Sequence, residues 1–307
     1  MCCERSEAIS FNAETASSLV SAHLPRAVQR GRSDAANMMK RLRHLYQVYG
    51  AVLAMVPKLY SAYRAWVWME SVVQLLAMTV IYFFWQAVYA NGGTLGGLTF
   101  QQTINYVMIA QMLMPLVENR LIFNFGFMIR EGQIAIDLLR PLDFQARFYV
   151  DAIGNLALNL LLKIPLLIIA VIFFQVQLPR DLATWLVFVV SLVLGHGVLF
   201  FFDWIFACLA FYSTETWGLS VVRVAVVTFF SGALIPLQMM PPWLRAIAAI
   251  LPFAQSVYVP VSFLSGVTPI SAAPQAWLLQ LAWLIGLGLA SRLVFSRAVR
   301  KVTVQGG

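Results

Sequence analysis

Six ionisable residues, Glu70, Glu118, Arg120, Lys163, Asp203 and Arg223, sit in or beside long apolar runs. A charge in such surroundings is costly, so it marks an ion or substrate path or an internal pair. Lys163 and Asp203 lie deepest in their runs. They are the pair an ion-coupled carrier would use, with a snorkelling lysine and an interhelical hydrogen bond as the structural alternative. Other chemistries find no support in the spacing. Lys40, Lys58, Lys163 and Lys301 all lack the preceding glycine of a phosphate-cradling Gly-x-x-x-x-Gly-Lys loop, so the chain does not bind ATP in that way by itself. His23, His44 and His196 are scattered, and His196, between two glycines, reads as a hydrogen-bonded core residue. Cys2, Cys3 and Cys208 form neither a disulfide framework nor a metal spacing. Catalytic, cofactor and metal residues are expected to be none, and the chain reads as a non-enzyme.

The elements that must hold these residues follow from composition. Of 307 residues 61% are hydrophobic and 11% charged, against about 25% charged in soluble domains. Residues 71–117 and 246–291 hold no Asp, Glu, Lys or Arg. Each is long enough to cross a hydrocarbon core of ~30 Å. The fold class is an all-α polytopic membrane protein. A soluble enzyme, a secreted disulfide scaffold and a disordered chain are excluded.

Six transmembrane helices are expected, at about 65–90, 102–124, 152–176, 182–211, 218–238 and 275–295, within one membrane domain over 65–300. Residues 1–37 are polar and read as a disordered extension, with Met38 or Met39 as an alternative start. Residues 38–64 read as an amphipathic interfacial helix. Its Lys40, Arg41 and Arg43 suit anionic headgroups, so membrane lipid is an expected partner. The net charge of +8 would point to nucleic acid in a soluble protein. Here nine cations precede residue 65 and Arg292, Arg297, Arg300 and Lys301 close the chain, so no nucleic-acid partner is expected. By the positive-inside rule both termini are cytoplasmic, which requires an even number of spans.

Two segments stand out. Residues 127–143, FMIREGQIAIDLLRPLD, hold helix-compatible residues from Ile134 to Leu139, halted by Pro141 and ionic at both ends. Residues 231–253, SGALIPLQMMPPWLRAIAAILPF, read as the start of an outer, re-entrant-like hairpin between spans five and six. Its marked positions are Pro236, Pro241, Trp243, Leu244, Pro252 and Phe253. Gly132-Gln-Ile134 with Asp137-Leu-Leu-Arg-Pro-Leu142, together with the Ser-Gly, Pro-Trp-Leu and Leu-Pro-Phe positions of the hairpin, resembles the integral membrane subunits of type-2 ABC exporters. The likeness is to a bacterial six-span branch and covers about 40–300.

The resemblance implies a permease in the bacterial inner membrane, paired with a second permease, identical or different, and with a separate ABC ATP-binding subunit that holds ATP and Mg. It also implies that the 127–142 loop couples to that subunit through Arg130, Glu131, Gly132, Asp137, Leu138, Leu139, Arg140 and Pro141. The transported substrate is not legible, though an apolar path with few fixed charges suits a lipid, a lipid-linked glycan or an amphipathic drug. The ion-coupled secondary transporter built on Lys163 and Asp203 is the alternative.

Overall fold

The computed structural model describes residues 64–140, 142–213 and 216–301, with scattered helical residues between Gln47 and Tyr60. The chain divides into two units, Met1–Met55 and Val56–Gly307, and the helical frame belongs to the second. The expected extension over 1–37 lies outside the described residues, as does most of the expected interfacial helix over 38–64.

The described residues fold as helices: α1 (Arg64–Val88), α2 (Phe100–Val117), α3 (Leu121–Arg130), α4 (Gln133–Leu138), α5 (Phe144–Leu162), α6 (Ile164–Phe173), α7 (Leu182–Ala207), α8 (Trp217–Phe230), α9 (Pro242–Ile250), α10 (Pro252–Ser256), α11 (Tyr258–Leu264) and α12 (Ala273–Ala298). No strand occurs among them. The protein is an all-α polytopic membrane protein. Four stretches are long and apolar enough to span a bilayer: Ala65–Val88, Phe100–Arg130, Leu182–Phe211 and Ile270–Lys301. The pair α5–α6, bent by 42°, makes a fifth.

Two expected boundaries are corrected. The third span opens at Phe144 rather than 152, because Asp143 caps α5 by accepting the Ala146 N–H at 2.6 Å. The fifth, expected over 218–238, is helical only to Phe230. Fourteen residues rise ~21 Å, short of a hydrocarbon core of ~30 Å. The chain turns at Gly232, whose φ of 74° is open to glycine, and Tyr106 donates to its carbonyl at 2.9 Å. The short helices α9 to α11 follow, rather than one continuous rod.

Two packing features hold the frame. At one end Trp204 of α7 is fully buried with Phe125 of α3, Phe144 and Phe148 of α5, and Phe295 of α12. Edge-to-face pairs of this kind add ~0.5–1.5 kcal/mol each beyond the area they bury. Farther along α7, Gly195 lets α10 approach. A Cβ there would collide with the Gln255 carbonyl oxygen. Without a hydrophobic force between helices in lipid, such close backbone contact and interhelical hydrogen bonds carry association. Gln280 of α12 supplies the bonds, donating to the Ser191 and Gln255 carbonyls at 2.9 and 2.8 Å.

Candidate functional site

Two spans are broken, and both breaks open on one cleft. α2 carries Pro115 and stops at Val117; Glu118, Asn119 and Arg120 separate it from α3. Pro115 cannot donate to the carbonyl four residues back. That carbonyl, of Gln111, instead accepts from the Gln74 side chain of α1 at 2.8 Å. The second break is Lys163, between α5 and α6, where Pro165 opens α6. Irregular backbone at membrane depth is tolerated where it is buried in protein or lines a wet cavity. The cleft, about 510 Å³, is that cavity, lined among others by Glu118, Asn119, Arg120 and Lys163. Glu70 and Trp66 of α1 and Asp151, Asn155 and Asn159 of α5 complete its polar wall.

The structure does not bring Lys163 and Asp203 together, which corrects the expected pair. Lys163 is buried with its Nζ 3.9 Å from Glu70. Asp203 of α7 instead receives a bidentate contact from Arg223 of α8, Nε to Oδ1 at 2.8 Å and Nη2 to Oδ2 at 2.6 Å. The third donor, Nη1, reaches Glu118 at 3.2 Å. Arg223 and Asp203 are each 3% exposed at the side chain, and Glu118, at 27%, forms the cleft wall. One guanidinium thus ties the α2 break to α7 and α8. Only a planar fork makes this three-way contact; a lysine would not. His196 is also corrected: it is buried, but neither ring nitrogen has a hydrogen-bond partner among the described residues.

The loop after α3 is built from its buried side outward. Gly132, at φ 69°, reverses the chain between α3 and α4, and α4 spans 133–138 where a helix over Ile134–Leu139 is expected. Ile134, 1% exposed, anchors it in the Trp204 cluster. Asp137 points inward too, paired with Arg140 Nε at 3.1 Å and Arg147 Nη1 at 3.0 Å. Leu138 packs partly against the same core. What remains outside is Arg130, Glu131, Ile136, Arg140 and Leu139, the last 86% exposed. Pro141 lies outside the described residues. Asp143 of α5 pairs with Arg292 of α12, and Phe144 stacks on Phe295 at 5.5 Å and 7°. The end of α12 therefore lies beside this loop.

The expected hairpin divides in two. Pro241 and Trp243 are exposed and Leu244 half-buried, so α9 lies on the surface. Pro236, Pro252 and Phe253 are buried, and α10 and α11 pack on α7. Sequence reasoning placed Glu118 and Arg223 at span ends and missed their union. The proline inside an apolar run was the available signal for a broken helix at that point.

A helical membrane frame with interrupted spans around a polar cleft and a short exposed helix beside it defines a membrane-embedded transport subunit. A family model described as ABC-2 family transporter protein matches residues 75–306, well over half the chain. The chain belongs to the ABC-2 transporter family, as a multi-pass membrane subunit of an ABC transporter, and membership implies an ATP-binding partner subunit. No curated protein matches it.

Proposed function

We propose that this chain is the permease of an exporter driven by a separate ATP-binding protein, with residues 127–142 as the coupling element. One observation carries the reading. Ile134 and Asp137 fix α4 to the helix frame, while Ile136 and Leu139 project two apolar side chains beside the exposed charges Arg130, Glu131 and Arg140. An apolar anchor with a charged rim is the usual anatomy of a protein docking surface. Movement of a partner bound there reaches Trp204 and through it α5, α7 and α12. Six crossings with both termini cytoplasmic, in the bacterial inner membrane, fit the cation distribution when α8 to α11 are counted as one interrupted crossing. A second permease, the same chain or a relative, would face the exposed apolar sides of the helices. ATP and Mg belong to the partner.

The test is co-purification with its ATP-binding subunit. Leu139→Asp and Arg140→Glu should reduce its capture and its transport-stimulated ATP hydrolysis at least tenfold, while Arg245→Glu on α9 should not. Wild-type capture and transport by Arg140→Glu and Leu139→Asp together would remove 127–142 as the coupling element.

A further inference from the structure

Beside the polar cleft lies a second cavity of about 510 Å³ that is almost wholly apolar, and the two share Tyr60 and Val67 as walls. Leu75 of α1, Leu158 and Leu162 of α5 and Ile169 of α6 line the apolar part. Both volumes fall within the ~300–1,000 Å³ of small-molecule sites. Trp66 and Trp68, in the first turns of α1, lie one on each, as tryptophans do where apolar and polar zones of a bilayer meet. A polar chamber that shares walls with an apolar one suits a molecule with both characters.

The charges narrow the head. Glu118 is held by Arg223, and Lys163 faces Glu70. Two charges lining the cleft form no ion pair among the described residues: Arg120, exposed at the α2–α3 break, and Asp151, exposed on α5. Asp151 accepts a hydrogen bond from Asn155 at 3.2 Å, and Arg147, one turn before it, is ion-paired with Asp137 while its charge also acts on Asp151 without contact. One open cation and one open anion on the same cleft complement a head that carries both signs. An anionic head would satisfy Arg120 and face Asp151; a cationic head would do the reverse.

We propose that the adjoining cavities bind a zwitterionic amphiphile of the phosphoethanolamine type, its phosphate on Arg120, its ammonium on Asp151 and its chain along the α1–α5–α6 groove. This deepens the transport reading by naming the chemistry the cleft takes. Binding is measured without the ATP-binding subunit, so its failure leaves the coupling reading standing, and the reverse.

The experiment is native mass spectrometry of the purified, delipidated chain titrated with lysophosphatidylethanolamine or with lysophosphatidylglycerol of the same chain length. The zwitterionic probe should bind at least tenfold more tightly. Asp151→Asn should erase most of that preference, and Arg120→Gln should weaken both probes, since each carries a phosphate. Leu162→Trp, which fills the groove, should weaken both probes together. Unchanged melting temperature and elution volume verify that the variants are folded. A copy of the amphiphile retained from native membranes would identify a resident bilayer lipid, and one bound only on addition would identify cargo; either supports the site. Equal affinity for the two probes, preference intact in Asp151→Asn, or wild-type affinity for both probes in Arg120→Gln, overturns it.

Discussion

Replacing Arg223 by methionine tests the buried charge cluster most directly. The variant keeps an unbranched apolar stem and removes three donors, two to Asp203 and one to Glu118. Glu118, 27% exposed on the cleft, can recover water; Asp203, 3% exposed, cannot. Breaking one partner of a buried pair costs ~3–5 kcal/mol, because it strands the other charge. Protonation of Asp203 relieves part of this, since a stranded carboxylate neutralises rather than remaining charged. About 3 kcal/mol is therefore expected, which for 307 residues at ~2.1 cal/mol/K each corresponds to a melting shift of roughly 5 °C. The assay is thermal unfolding of purified protein in a mild detergent, followed by loss of the monodisperse elution peak. Asp203→Leu combined with Arg223→Met removes both charges and should regain at least half the loss, since apolar replacement of a whole buried pair is often neutral. A single variant melting with the wild type, or a double variant no better than the single, would refute the reasoning.

Gly195→Val places a side chain where the α10 backbone leaves no room for even a Cβ; overpacking of ~1–3 kcal/mol should appear as a lower melting temperature, and more where α10 is displaced. Gln74→Leu strands the Gln111 carbonyl beside Pro115 and should cost ~1 kcal/mol, with Gln74→Glu no substitute because it brings no N–H donor when ionised. Burial raises the Asp143 carboxyl, but hydrogen bonds from Arg292 and the Ala146 N–H outweigh it and leave the group below its ordinary value. Its contribution is thus present above an unfolded carboxyl value of about 3.9 and lost as pH falls through the lower folded one. The pair is half exposed, so Asp143→Asn should cost no more than ~1 kcal/mol at pH 7 and progressively less as the pH falls below the ordinary carboxyl range, read by melting across that range. For topology, Thr94→Cys in the turn after α1 should be labelled from outside the cell and a terminal tag only from within. Thr94 is exposed, whereas Gly96 in the same turn has φ 58° and touches Gln238, so a cysteine there would distort the turn.

Composition alone established that this is a helical membrane protein, because no water-soluble core can hide so much apolar surface. The long apolar runs located α1, α7 and α12 to within a few residues, and the polar 127–142 stretch announced a short helix between spans. Local chemistry suffices there: periodicity, capping residues and prolines act within a turn or two. It did not suffice for the partners of charges. Glu118, Asp203 and Arg223 are far apart in the chain, and nothing nearby in sequence distinguishes Arg223 from a cation at a span end. Lys163 and Asp203 looked equally deep because depth was counted along each helix, while pairing depends on how the helices rotate against one another. Asp137 likewise read as an exposed contact until α5 brought Arg147 to it. Which segments leave water could be read residue by residue, since transfer free energy is a sum over residues. Which polar groups meet inside was settled by packing, since that depends on where two helix breaks happen to face the same cleft.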